Sequence, residues 1–197
     1  MQTEVLTAGN IDRAAEIIRW GGLVAVPTET VYGLAGNGLD ADAVERIYAV
    51  KGRPEVKPLS LMVHGAEAMG RCWSSVPGQA LSLAEEFWPG PLTIIGPGAP
   101  GIPEIVRAGG STVGLRCPDH ELTLELCGVP LAAPSANPSG APSPKTAQEV
   151  LGYFNGKIDA VIDGGECGIG TESTIITLAE KPFKILRPGA LPDYEIA

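Results

Sequence analysis

The sequence predicts a single α/β domain built on a mixed parallel and antiparallel sheet with flanking helices, and three observations carry that expectation. Leu23–Val26 is a short apolar run rich in β-branched residues and stopped by Pro27, as a buried strand is, and Thr112–Arg116 alternates as a strand does. Between them lie stretches whose apolar residues recur at three- and four-residue spacing, the pattern of one helix face. The two patterns intermingle without strict alternation, so the strands cannot all run parallel. No repeat or linker interrupts the 197 residues.

Taken in order, Asn10 stands as N-cap of a helix from Ile11 to Trp20, with Ile11, Ala14, Ala15 and Ile18 in one stripe and Gly21-Gly22 ending it. Leu23–Val26 is a central strand stopped by Pro27. A helix from about Asp42 to Val50 places Val44, Ile47 and Tyr48 on one face and stops at Gly52. Leu59–Val63 is the second strand, and Pro77 opens a helix whose Ala80, Leu81, Ala84 and Phe87 face inward. Trp88-Pro89-Gly90-Pro91 turns into a strand at Leu92–Gly96, and Gly96 to Gly110 is a surface loop rich in glycine and proline. Thr112–Arg116 is a strand, His120–Cys127 a short helix and Leu131–Ala133 a buried strand. Ser143 is expected to cap, and Pro144 to begin, a helix reaching about Phe154. Strands at Ala160–Asp163, Thr174–Leu178 and Phe183–Leu186 complete the chain, the last leading into Arg187-Pro188-Gly189.

Composition bounds the function. An apolar content of 44% supports a substantial core, and a formal charge of −9 opposes broad attraction to nucleic acid while leaving room for a local basic pocket. The start lacks a cationic leader, and no apolar run approaches the roughly 20 residues that span a bilayer, so a cytoplasmic protein without a membrane partner is expected. Cys72, Cys117, Cys127 and Cys167 lie far apart, without Cys-x-x-Cys spacing, and read as reduced, partly buried thiols. With His64 and His120 the only histidines, no metal ligands are assigned. Phosphate-loop, dinucleotide-fold, kinase and Gly-x-Ser-x-Gly signatures are all absent, and covalent catalysis is not indicated.

The residues that could carry chemistry fall in six places. Lys51, Arg53 and Lys57 put three cations within seven residues, stiffened by Gly52, Pro54 and Pro58, which suits an anion; Lys51 would equally suit a helix C-terminus with the other two solvated. Thr28, Thr30 and Tyr32 follow a buried strand, where hydroxyls serve either a polar ligand or turn capping. The stretch Ala133 to Pro144 holds small hydroxyls and an amide on a proline-fixed backbone, and Asp163 to Thr174 is a glycine-rich counterpart; ligand loops and plain surface loops both fit. Thr112 and Arg116 share one face of a strand, and an arginine there needs a buried partner or an anionic ligand. Arg187 poses the same question. Cys117 and Cys167 have no evident base, and His64 reads as a strand-end residue rather than a base.

Together these stretches resemble the YrdC-like family of threonylcarbamoyl-AMP synthases. The matching pieces, in the family's order over nearly the whole chain, are Pro-Thr-Glu-Thr-Val-Tyr-Gly-Leu at 27–34, Lys-Gly-Arg-Pro-Glu-Val-Lys-Pro-Leu from Lys51, Trp-Pro-Gly-Pro-Leu-Thr from Trp88, Arg-Cys-Pro from Arg116, Ala-Pro-Ser-Ala-Asn-Pro-Ser-Gly from Ala133, Glu-Ser-Thr-Ile from Glu172, and Arg-Pro-Gly from Arg187. The resemblance implies one YrdC-like catalytic domain over 1–197 with a twisted mixed sheet. It implies a nucleotidyltransferase joining L-threonine, bicarbonate and ATP into threonylcarbamoyl-AMP and pyrophosphate, for threonylcarbamoyl modification of tRNA adenosine.

The family's Lys-x-Arg and Ser-x-Asn motifs stand here as Lys51, Arg53, Ser135 and Asn137, the implied catalytic set. Arg53, Lys57, Thr112, Asn137, Ser143 and Arg187 are implied to contact ATP, and Thr30, Arg116, Ser135 and Ser173 to hold threonine; Ser111 and Thr174 are neighbouring alternatives to Thr112 and Ser173. Magnesium would come with ATP through phosphates and water. The tRNA threonylcarbamoyl transferase machinery is an implied partner, with tRNA itself a further contact. The chain matches the short form of the family or the catalytic domain of the long one. Two other readings are an RNA-binding module, against which net acidity and the lack of aromatics beside the basic cluster count, and a relative that adenylates a different carbamate.

Overall fold

The computed structural model describes residues 2–196. Strand β1 (Glu4–Leu6) leads to helix α1 (Ile11–Arg19), which buries Ala14, Ile17 and Ile18. Asn10 occupies the N-cap position, yet its side chain makes no cap hydrogen bond and instead accepts from the Thr7 hydroxyl. Strands β2 (Val24–Val26) and β3 (Gly33–Asn37) pair antiparallel. Helix α2 (Ala41–Lys51) is capped at its start by the Asp40 carboxylate, which accepts from the Asp42 and Ala43 amides. It ends at Gly52, whose φ of 59° is left-handed backbone that a β-carbon would crowd.

The chain continues through β4 (Ser60–Met62), α3 (Met69–Cys72), α4 (Gly78–Phe87), β5 (Leu92–Pro97), β6 (Thr112–Arg116), α5 (Glu121–Leu126) and β7 (Leu131–Ala132). It closes with α6 (Ala147–Phe154), β8 (Ala160–Ile162), β9 (Thr174–Thr177), β10 (Lys184–Arg187) and α7 (Asp193–Ile196). All ten strands join one sheet in the order β1-β8-β2-β3-β7-β4-β6-β5-β9-β10. Pairing is parallel at β1/β8, β8/β2, β4/β6 and β5/β9 and antiparallel elsewhere, so the mixed sheet expected from the sequence is present.

Two cores cover the two faces of this sheet. Because side chains alternate along a strand, Leu23 and Ala25 join the core shared with α2, α3, α4 and α6, whereas Val24 and Val26 join the one shared with α1 and α5. Burial on both faces explains why β2 reads as an unbroken apolar run rather than an alternating one.

Several expectations need correction. Leu81, expected to face inward on α4, is 49% exposed, while Phe87 is only half-buried. The segment after β5 has no regular structure, as a loop should, but Ile102 and Val106 are buried and plug it into the core. Helix α6 is capped by Thr146, not Ser143: Thr146 and Glu149 form a reciprocal capping box, and the Pro144 carbonyl is occupied by the Tyr32 amide at 2.9 Å. Strands β1 and β3 and helices α3 and α7 were not anticipated.

Candidate functional site

The pocket opens where β3, β4, β5, β6 and β9 meet the polar loops. Its lining takes in Val31–Gly33, Arg53, Pro58–Ser60, Met62, Thr93, Arg116, Ala133–Ser135, Glu172, Ser173, Ile175 and Arg187. Three arginines face it against one carboxylate, and no histidine or cysteine lines it. That charge balance suits an anion, and with neither imidazole nor thiol in the lining the pocket favours positioning and charge stabilisation.

Arg116 is 6% exposed at the end of β6. Its Nη2 donates to Thr30 Oγ1 at 2.8 Å and lies 2.8 Å from Glu29 Oε1, and its Nε donates to the Gly90 carbonyl at 3.3 Å. Nη1 has no protein partner among the described residues. Glu29 is fixed in turn through its Oε2, which accepts from the Asp119 amide at 3.1 Å. Thr30 is fully buried and does not itself line the pocket. Thr28 serves the turn: its hydroxyl donates to the Val31 carbonyl and accepts from the Thr30 and Val31 amides.

Lys51, the last residue of α2, is 3% exposed, and its Nζ donates to the carbonyls of Ser135 and Asn137, the latter at 2.5 Å. Its own carbonyl accepts from the Ser139 amide at 2.8 Å. Burial, reinforced by the Arg53 charge and only partly opposed by Glu172, pulls its pKa down to about 8. Lys51 therefore fastens the 135–139 loop and does not line the pocket. Arg53 does, with its guanidinium turned onto its own loop, Nη2 donating to the Pro58 carbonyl at 3.0 Å.

On the far wall Arg187, at the end of β10, donates from Nε and Nη2 to the Ser173 carbonyl at 3.1 and 2.8 Å and pairs through Nη1 with Glu172 Oε2. Glu172 Oε1 accepts from the Ser143 hydroxyl at 2.9 Å. Burial opposes ionisation of Glu172, but Arg187, Ser143, Ser135 and Lys51 outweigh it and hold the carboxyl below its ordinary value. Gly189 makes this wall possible: a β-carbon there would sit 2.4 Å from the Glu172 carbonyl oxygen. Ser173 Oγ lies 2.8 Å from Thr93 Oγ1, a second buried hydroxyl in the pocket.

The sequence-derived residues thus divide. Arg53, Arg116, Ser135, Ser173 and Arg187 meet in the pocket; Thr30, Lys51 and Ser143 touch its lining residues. Asn137 is buried, its amide donating to the Pro138 and Ala141 carbonyls while its Oδ1 lacks a partner. Lys57 is exposed and Thr112 half-buried, and neither lines the pocket. Glu29, Thr93 and Glu172 were not singled out. The signal for Glu172 was its adjacency to Ser173, and for Glu29 the buried arginine that needed a partner. All four cysteines are free and buried, more so than expected, with Cys117 raised to about 11 and Cys127 to about 12 by burial, so none is a nucleophile near pH 7. His64 is exposed, 3.8 Å from Glu67.

Sheet and pocket together define a mixed-sheet α/β protein with a cation-lined cleft at its strand ends. Residues 16–189 match the Sua5/YciO/YrdC family model, described as telomere recombination, and the chain belongs to that family. It is 50% identical over 186 residues to a threonylcarbamoyl-AMP synthase of Pyrococcus abyssi, covering 93% of this chain and 55% of that protein. A threonylcarbamoyl-AMP synthase of Pseudomonas putida KT2440 is 35% identical over 187 residues, with 94% of this chain and all of that one covered. The crystal structure of P. abyssi Sua5 complexed with L-threonine superposes with a TM-score of 0.95 at 46% identity, over all of this chain and 60% of that one. The chain therefore spans little more than half the length of the Pyrococcus relative. Among the described residues no helix is long and apolar enough to cross a membrane.

Proposed function

We propose that the chain is one catalytic domain that makes threonylcarbamoyl-AMP and pyrophosphate from L-threonine, bicarbonate and ATP. The observation that carries this reading is the pocket's charge: three arginines against one carboxylate, with buried hydroxyls and neither histidine nor cysteine in the lining. The reaction brings a carbamate oxygen, an anion, onto the α-phosphorus of a triphosphate, and needs charge neutralisation and in-line alignment rather than a covalent intermediate. The names of the relatives and the L-threonine held by the Pyrococcus protein support it.

In this reading Arg116 takes the threonine carboxylate through its free Nη1, with Thr30 and Glu29 fixing the guanidinium and Ser173 and Ser135 completing the amino-acid site. Arg53 and Arg187 face the phosphates, with Asn137, Ser143, Lys57 and Thr112 toward the rest of the nucleotide. Lys51 acts by holding the Ser135–Asn137 loop. Among the described residues no three histidine, cysteine, aspartate or glutamate side chains gather to hold a metal ion, and Glu172 is committed to Arg187. Magnesium then enters as the counter-ion of ATP, held by phosphate oxygens and water. A cytoplasmic location and delivery of the adenylate to a tRNA-modifying transferase follow from the same reading.

The test is pyrophosphate release from ATP with bicarbonate, comparing L-threonine, L-serine and no amino acid, with the adenylate identified by mass. Threonine-dependent release with the threonylcarbamoyl-AMP mass is expected; release indifferent to threonine would sink the proposal.

A further inference from the structure

Glu172 is a carboxylate in a pocket assigned above to a triphosphate, where a like charge works against the ligand. Its contacts suggest why it is there. Oε1 accepts from Ser143 and Oε2 pairs with Arg187, so one carboxylate gathers two groups that the nucleotide reading gives to ATP. Arg187 is already held at its other edge by the Ser173 carbonyl, so Nη1, the atom paired with Glu172, is the corner it could exchange to another anion. The Arg53 charge presses on buried Lys51, and Glu172 relieves it. Cations gathered this closely repel one another unless an anion lies among them.

We propose that Glu172 is a positioning residue and internal counter-anion: it holds Arg187 and Ser143 in place as a phosphate group would, and yields Arg187 to the polyphosphate when that binds. The inference rests on the nucleotide reading of the pocket. Its consequence is that Glu172 weakens polyphosphate binding, because the ligand must displace a carboxylate from Arg187, and thereby eases the departure of pyrophosphate. A residue with a purely structural role would affect stability without altering anion affinity.

Calorimetric titration of the full chain with inorganic pyrophosphate tests this. Glu172→Gln keeps the shape and an acceptor for Ser143 but removes the charge; it is expected to bind pyrophosphate at least about tenfold more tightly than the wild type. It should also melt at a lower temperature than the wild type, and recover the difference when pyrophosphate is added. In turnover, the ATP KM and kcat should both fall, since product leaves more slowly. Glu172→Asp retracts the charge by one methylene and cannot bridge both partners, so binding at least about twofold tighter is expected; it carries the test if the glutamine variant does not fold. Wild-type binding that is unchanged or weaker in the variants overturns the inference alone. No pyrophosphate binding by any of the three proteins overturns it together with the nucleotide reading.

Discussion

At the scale of single residues, the site depends on buried charges held by neutral or opposite partners. Lys51 has its folded pKa near 8 against an ordinary 10.5, so between those values the unfolded chain keeps a proton that the folded chain has released. Stability therefore rises with pH across that window and the contribution is lost below it. In Lys51→Met the rise should vanish, and two buried carbonyls lose their donor at a cost of about 2–4 kcal/mol; urea unfolding at neutral and alkaline pH measures both. Arg116 cannot be replaced by lysine on the same reasoning. A point charge cannot reach Thr30, Gly90 and Glu29 together and still offer a free N–H. Arg116→Lys should raise the threonine KM on the order of tenfold with little change for ATP, as steady-state rates with each substrate varied will show.

At the scale of elements, two helix starts make a controlled comparison, the predicted cap at Asn10 and the one found at Thr146 in place of Ser143. Thr146 takes part in a capping box, whereas the Asn10 side chain caps nothing. Thr146→Ala should cost about 1 kcal/mol and Asn10→Ala a few tenths at most, read from denaturant midpoints. The same contrast says what was legible. Helix α2 and strands β2 and β6 were readable because period, breaker and cap agreed locally. Strand β3 was not: Gly33-Leu34-Ala35-Gly36-Asn37 has no β-branched residue, and it is a strand because β2 and β7 pair with it on both sides. Ser143-Pro144 mimics a cap, but the Ser143 hydroxyl is claimed by Glu172, 29 residues away. In the site, the local clusters of cations and hydroxyls were visible, and the long-range pairs that give them roles, such as Arg116 with Thr30 across 86 residues, were not.

At the scale of the whole molecule, a chain of formal charge −9 gathers three arginines at one pocket. Distant negative charge slows the approach of a polyanion and is screened by salt, while the buried contacts are screened far less. The association rate of pyrophosphate should therefore stay level or rise as salt increases, measured by stopped flow; a steep fall would mark an exposed cationic face of the RNA-binding kind. Charge was readable from composition, but not the strand order that threads β8 between β1 and β2. The loop from Pro134 to Ser139, for its part, is stitched down at several points: it accepts from the Leu34 amide at 2.7 Å, and its Ala136 and Ser139 amides donate to the Tyr32 and Lys51 carbonyls at 2.8 Å. Although these residues belong to no helix or strand, the Ala136 and Ser139 amides should then exchange with deuterium as slowly as those of the central strands, a comparison that NMR makes residue by residue. Slow exchange there would mean that Ser135 is held in position before any ligand arrives, so that little backbone entropy is lost if the pocket is filled as proposed.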